Sequence, residues 1–305
     1  MATSAMRTQS VAAQGSGAAP APDVIRITVT VASKSKSTPP EVTRQDVLVR
    51  QESERRPVLD WFPAQGERAG LDLTVLVDDS LSGAMAPRMA EIAGFIRSLP
   101  PTTRVAVIYA SQGGISVLQD FTSDHDLAAK ALRIPHGGFK YSQSIFQSVA
   151  WLEAHSPPGN YRRAILLFSD GIDVYHGFSG TLPSPSIDLE HAVEQGQRAA
   201  INVYAMFASA ASPLSRYTAF IANGQNSLAR LAEETGGEAF FSGSTTPQDF
   251  KPFLEELTQI LGRQYVLTFQ AKLGPKPGYK RIQITTELPG ARIIGPAHVY
   301  LPARQ

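Results

Sequence analysis

Asp78 and Asp170 each close an apolar run. Leu71-Asp72-Leu73-Thr74-Val75-Leu76-Val77 breaks off at Asp78-Asp79-Ser80, and Arg163-Ala164-Ile165-Leu166-Leu167-Phe168 breaks off at Ser169-Asp170-Gly171. If the two runs are neighbouring strands, their terminal carboxylates converge and repel each other unless a cation lies between them. Ser80 and Ser82 follow Asp78 at alternate positions and add hydroxyl oxygens. Carboxylate and hydroxyl donors suit a hard divalent ion such as Mg²⁺, Mn²⁺ or Ca²⁺, and not zinc. Each residue also has a purely structural reading. Asp and Ser are good helix caps, so Ser82 can cap the segment that carries Met85, and Asp170-Gly171 can be a strand-ending turn.

The elements that would position these residues alternate between strand and helix from Leu71 to Gly262, which predicts an α/β class: a doubly wound, mostly parallel sheet. Met85, Met89, Ile92, Ile96 and Leu99 recur at helical spacing before Pro100-Pro101. Extended runs over 104–109 and 115–121 flank Ser111-Gln112-Gly113-Gly114, short enough for a hairpin, so the third strand is expected antiparallel at an edge. Helices are predicted over 125–133 and 142–154, from Leu189 to Ala200, and briefly at 228–232 before Gly236-Gly237. A last helix is expected to start with Thr246 as cap and Pro247 at its first position. Strands are expected at 202–208 and 238–241. In such sheets ligands bind outside the carboxyl ends of the strands, where strand order reverses, and Asp78 and Asp170 fall there.

Outside this region the pattern is β only. Residues 24–32 alternate Ile25, Ile27, Val29 and Val31 with polar side chains, and shorter extended runs follow at 46–51 and 56–62. After Gly262, runs at 265–271, 279–287 and 291–300 are again extended. The expected division is a leader over 1–23, a β segment over 24–66, the α/β domain over 67–262 and a second β segment over 263–305. The two β segments either pair into a small β module or form two separate appendages.

Of 305 residues, 43% are hydrophobic and 18% charged, an ordinary globular balance. The 28 basic and 27 acidic residues leave a net charge of +1, with no basic run dense enough to follow a phosphate backbone, so nucleic acid is not an expected partner. Absence of cysteine removes disulfides, thiolate metal sites and a cysteine nucleophile together. No stretch reaches the ~20 apolar residues of a membrane span. Residues 1–23, with Val11-Ala12-Ala13 and Ala18-Ala19-Pro20-Ala21, read as the tail of a truncated signal peptide or as an ordinary leader.

Asp78-Asp79-Ser80-Leu81-Ser82 resembles the D-x-S-x-S signature of von Willebrand factor A-type domains, and the element order with its antiparallel third strand is similar too. The segments 44–49, 121–125, 261–265 and 295–300 resemble the bacterial VWFA-related family named for acidobacteria. The resemblance implies a metal-ion-dependent adhesion site in which Asp78, Ser80, Ser82 and Asp170 gather one divalent cation, Mg²⁺ first, and a partner protein's Asp or Glu completes its shell. It also implies export to the periplasm or beyond. The family supplies a threonine from a Gly-Gly-Thr context before the third helix, whereas this chain reads Gly137-Gly138-Phe139-Lys140-Tyr141-Ser142. Phe139 cannot coordinate, so Ser142, or Ser144, is the substitute hydroxyl, and Lys140 is a competitor for the cation's place.

No P-loop, dinucleotide-binding or nucleophile-elbow motif occurs in the sequence, which favours a non-enzymatic binding module. Two alternatives stay open: a structural envelope module with a degenerate, metal-free site, and a metal-dependent hydrolase. Asp79 and Asp173 are expected to face solvent or cap turns, the six histidines to lie at the surface, and Trp61 and Trp151 to pack. The Gly/Ser/Pro-rich stretch 174–186 is a candidate recognition loop.

Overall fold

The computed structural model describes residues 23–33, 39–111, 114–138, 144–157, 159, 161–175 and 186–304. Its central layer is a six-stranded sheet in the order β10-β9-β8-β5-β6-β7, formed by β5 (Leu71–Asp78), β6 (Thr103–Ser111), β7 (Gly114–Thr122), β8 (Arg162–Ser169), β9 (Ile201–Phe207) and β10 (Ala239–Phe240). All pairs are parallel except β6 with β7, so the sheet is doubly wound with one antiparallel edge strand. Strand order reverses between β5, which ends in Asp78, and β8, which Asp170 follows.

All eight residues of β5 are buried, as a central parallel strand with helices on both faces requires. Leu71, Leu73, Val75 and Val77 face a core shared with α1 (Arg88–Ser98), α2 (His125–Lys130) and α6 (Lys251–Gly262). Leu76 faces the opposite core, built with α3 (Ile145–Ala154), α4 (Ile187–Ala199) and α5 (Thr218–Thr235). Period-two alternation along β5 thus serves two hydrophobic layers, each fully buried side chain contributing about 1.5–3 kcal/mol.

The flanking strands pair with one another. One sheet runs β13-β1-β11-β4 and the other β14-β12-β2-β3, using β1 (Val24–Ser33), β2 (Val47–Gln51), β3 (Glu54–Arg56), β4 (Val58–Pro63), β11 (Gln264–Gln270), β12 (Gly278–Thr286), β13 (Ala291–Ile294) and β14 (His298–Leu301). Both sheets share a core that includes Val29, Val49, Trp61, Phe269 and Val299. The chain therefore passes from this sandwich into the α/β layer and back. Arg162 ties the two together: its guanidinium donates to Ala69 O at 2.7 Å, Leu261 O at 3.2 Å and Gln264 Oε1. Gln264 Nε2 in turn donates to the hydroxyl of Tyr204, 2.7 Å away.

Several local expectations are corrected. Met85, Ile92, Ile96 and Leu99 are buried and Met89 is half-buried, but the helix is divided. Met85 lies in a 3₁₀ turn, Gly83–Met85, and α1 starts after Pro87, whose ring has no N–H for a continuing ladder. Helix α2 ends at Lys130, short of Arg133, and α3 starts at Ile145 behind an N-cap at Ser144. The short helix at 228–232 is the second half of the 18-residue α5, whose first half hides only Ile221 and Gly224 within a polar sequence. Thr246 and Pro247 precede α6 without capping it, because Thr246 Oγ1 accepts from Ser209 N at 2.9 Å. The run 291–300 is two strands in different sheets, broken at Gly295-Pro296. Trp61 packs as expected, stacked on Tyr265 at 4.5 Å. Trp151 instead is 46% exposed and stacks on His155.

One buried group works against the fold. Glu153 on α3 is 2% exposed, among the described residues neither carboxylate oxygen has a hydrogen-bond partner, and a Cβ on Gly196 of α4 would lie 2.6 Å from Oε1. Burial pushes its carboxyl well above the usual carboxylate range, so folding favours the protonated form. A raised folded-state pKa gives stability that is full below the unfolded value and lost as pH rises through the folded one. Glu153→Leu is therefore expected to be more stable than the parent by about 1–3 kcal/mol near neutral pH, with a smaller gap near pH 5. Urea denaturation at the two pH values measures it, and a gap that does not grow with pH contradicts the assignment.

Candidate metal centre

Asp78, 4% exposed, is the last residue of β5, and the chain beyond it turns sharply across the sheet edge. Its Oδ1 accepts from the Ser80 amide at 3.0 Å and the Ser80 hydroxyl at 2.6 Å. Its Oδ2 accepts from the Ser169 hydroxyl at 2.8 Å. Ser169 is the neighbour dictated by strand register, since Val77 pairs with Phe168 one step earlier. Sequence reading missed Ser169 as part of the site. The available signal was its place at the end of the second buried strand, beside Asp170.

The loop after β5 is stitched to the loop after β9. Ser82 N donates to Ser209 O at 3.0 Å, Ala211 N donates to Ser80 O at 2.9 Å, and Leu81 bridges Ala210. Ser82 precedes the 3₁₀ turn, but its side chain makes no cap hydrogen bond, which removes the capping explanation for its hydroxyl.

Asp170, 1% exposed, follows β8, and its Oδ1 accepts from Ile172 N at 3.0 Å. Gly171 turns the chain with φ +67°, a conformation L side chains resist. A Cβ there would lie 2.3 Å from the carbonyl oxygen of Gly224, and one on Gly224 would lie 2.2 Å from Asp170 O. Two facing glycines thus let α5 press directly against the aspartate's turn.

Asp79 and Asp173 are both buried and do not face solvent, while Asp173 does cap the turn that follows it, its Oδ1 accepting from Tyr175 N at 3.0 Å. Asp79 turns away from Asp78 onto Arg133, with Oδ1–Nη1 at 2.6 Å and Oδ2–Nη2 at 2.9 Å, and onto His136, whose amide and Nδ1 lie at 3.0 and 2.8 Å. Burial raises the Asp79 pKa, and the hydrogen bonds from Arg133 and His136 more than reverse this, leaving it at about 2. Arg133 also lies over the Tyr109 ring at 4.1 Å. His136, an expected surface histidine, is exposed yet fixes the loop leading to α3, and Gly137 N donates to Asp79 O at 2.9 Å.

Asp173 Oδ2 accepts from Ser144 Oγ at 2.8 Å and Ser186 Oγ at 3.2 Å, which joins the turn after β8 to the starts of α3 and α4. The Ser144 hydroxyl thereby spends its one proton on Asp173 and accepts from Phe146 N, so it is a structural link. Ser142, with Phe139 and Lys140, lies outside the described residues, as do 176–185 of the proposed recognition loop.

Asp78, Asp170, Ser80 and Ser82 bring only oxygen donors, the chemistry of a hard cation. Among the described residues no group of three or more His, Asp or Glu side chains is placed to hold a metal, so a site here depends on hydroxyl ligands.

The doubly wound sheet, its antiparallel edge strand and the D-x-S-x-S loop at the reversal of strand order are those of a von Willebrand factor A-type fold. Similar solved structures include the vWF domain of the type V pili tip protein Mfa5 from Porphyromonas gingivalis, with 11% identity, a TM-score of 0.44 and 62% of this chain against 95% of that one. BatB from Bacteroides thetaiotaomicron is similar at 13% identity and a TM-score of 0.43, over 63% of this chain and 98% of that one. The SpRpn10 VWA domain is similar at 12% identity and a TM-score of 0.38, over 62% and 95%. No family model and no curated protein matches the sequence.

Two outcomes follow from the geometry. Gly171→Ala is expected to lose about 2–5 kcal/mol, combining left-handed backbone strain with a clash against the backbone of α5, read from the urea midpoint. Arg133→Ala leaves Asp79 buried without its main partner and is expected to cost about 2 kcal/mol, partly restored by adding Asp79→Asn. Because the Asp79 pKa is depressed, this contribution is present above its usual 3.8 and lost as pH falls through about 2.

Proposed function

We propose that this chain is a protein-binding module in which Asp78, Ser80, Ser82 and Asp170, with Ser142, hold a divalent cation that bridges to an Asp or Glu of a partner protein. The observation that carries the reading is the Asp78 carboxylate, buried at the end of a central strand with its oxygens drawn onto the hydroxyls of Ser80 and Ser169. Hydroxyls that hydrogen-bond a carboxylate can instead offer their lone pairs to a metal shared with it. Held there, a divalent cation is balanced by the two carboxylates and still offers an open coordination position to an anionic oxygen, and Mg²⁺ suits a set with few protein ligands because it retains waters. Ser169 serves as a positioning group for Asp78.

Binding is favoured over hydrolysis by the fate of the nearest other carboxylates. A water-activating site needs a further acid or base at the strand ends. Asp79 is held by Arg133 and His136, and Asp173 by Ser144, so both are engaged elsewhere. Among the described residues no helix is long and apolar enough to cross a membrane. A periplasmic or cell-surface location is part of the proposal.

A cation that binds only the folded state raises stability by mass action, about 2.7 kcal/mol at a hundredfold excess over its dissociation constant. Mg²⁺ or Mn²⁺ is expected to raise the melting temperature of the parent and to leave that of Asp78→Ala unchanged. An immobilised Asp-containing peptide should retain the parent with Mg²⁺ and release it on adding chelator. A parent whose melting temperature ignores both cations would sink the reading.

A further inference from the structure

Strand register in the sandwich gathers unpaired cationic charge on one face. Gln51 and Glu54 close the two-residue turn between β2 and β3, so the next pair, Arg50 and Arg55, stands directly opposite. A pair one step from such a turn exchanges no hydrogen bonds, which brings its Cα atoms to about 4.5 Å and its side chains close together. On its other side Arg50 pairs with Gln283 of β12, and Arg281 lies two residues along the same face. All four residues are exposed. Helix α4 packs over β14 at the far side of this sheet, which leaves the β2–β3 half open.

The two carboxylates of the same hairpin are taken by other cations. Glu54 Oε1 accepts from Lys272 Nζ at 2.6 Å and its Oε2 lies 3.4 Å from Arg56 Nη1, while Glu52 Oε1 lies 3.5 Å from Lys280 Nζ. Among the described residues no ion pair or side-chain hydrogen bond engages Arg50, Arg55 or Arg281. Like charges directly opposite weaken a sheet. An edge strand uses charge to repel other chains, which accounts for Arg55 on β3. It does not account for Arg50, because β2 is paired on both sides.

Charge count selects the ligand. Two guanidiniums in one cross-strand pair are relieved of their repulsion by a single group that carries two negative charges and offers oxygens to both forks. A carboxylate or a sulfate ester carries one charge, whereas a phosphate monoester carries about −1.5 to −2 at pH 7 and presents three acceptor oxygens. Among the described residues the open half of the face has no exposed apolar side chain for a membrane to bury, since Leu48 is half-buried. A soluble monoester therefore suits it better than a lipid headgroup.

We propose that Arg50 and Arg55, with Arg281 adding to their field, bind the dianionic group of a small phosphate monoester. The site is independent of the cation site and is tested in the presence of chelator. Isothermal titration of the full chain with glycerol phosphate at pH 7.5 and low ionic strength is expected to give a dissociation constant of about 1–5 mM. Methyl sulfate, a monoanion with the same tetrahedral oxygens, should bind at least about fivefold more weakly. Arg55→Gln and Arg50→Gln should each lose this preference, because a single guanidinium gains little from the second charge. Both positions are exposed and each substitution removes repulsion, so melting temperatures should equal or exceed the parent's. No heat with glycerol phosphate at about 20 mM, equal binding of methyl sulfate, or variants that discriminate like the parent would each overturn the proposal. Capture by phosphatidic acid vesicles without binding of the soluble ester would give the site to a membrane and overturn it too.

Discussion

A carboxylate buried at the end of the central strand is the constraint around which this protein is arranged. Asp78 has left water, and a buried charge is tolerated only where hydrogen bonds or a counter-charge replace its hydration. Ser80 supplies two of those bonds through the turn that β5 enters, and Ser169 supplies a third from the neighbouring strand. Satisfying one side chain therefore fixes the exit of β5, the end of β8 and, through Ser82 and Ser80, the loop after β9. The groups that quiet the carboxylate are themselves oxygen donors, which is why the same geometry suits a cation.

Adjacent aspartates have opposite fates. Asp78 and Asp79 differ by one position, yet the turn directs the second onto Arg133 and His136. Its ion pair offsets a charge that would otherwise compete at the site, and it anchors the segment leading to Gly137-Gly138. Asp173 does comparable work from the turn after β8, drawing in Ser144 and Ser186. Two carboxylates are thus used to hold loops, which leaves Asp78 and Asp170 as the strand-end carboxylates of the proposed cation site.

The opposite end of the sheet joins the sandwich. Arg162 is largely buried, and burial lowers its pKa to about 10, still cationic at neutral pH. Its hydrogen bonds to Ala69, Leu261 and Gln264 use both ends of the α/β layer's chain, so the entry and exit strands meet at one guanidinium. Removing that group would leave several carbonyl and amide partners buried and unpaired, a heavier penalty than the loss of one surface contact. The polar network continues through Gln264 to Tyr204 and reaches the floor of a cavity between the layers.

The sequence by itself determined the layered architecture, because period-two and helical spacing of apolar residues report directly which faces are buried. Leu71 to Val77 and Arg163 to Phe168 read as central strands, Ser111 to Gly114 as the turn into an antiparallel edge, and Asp78 and Asp170 as strand-end carboxylates, from local pattern alone. Only tertiary structure decided which polar side chains meet. Ser169 gains its role from the register between β5 and β8, Asp79 finds Arg133 54 residues away, and Ser144 is taken by Asp173 on another element. The same holds for the full length of α5, whereas the break at Pro87 and the split at Gly295-Pro296 do carry a local proline signal that hydrophobic periodicity passes over. Periodicity encodes burial one element at a time, whereas a hydrogen bond between distant residues depends on how the layers pack, and no local pattern carries that information.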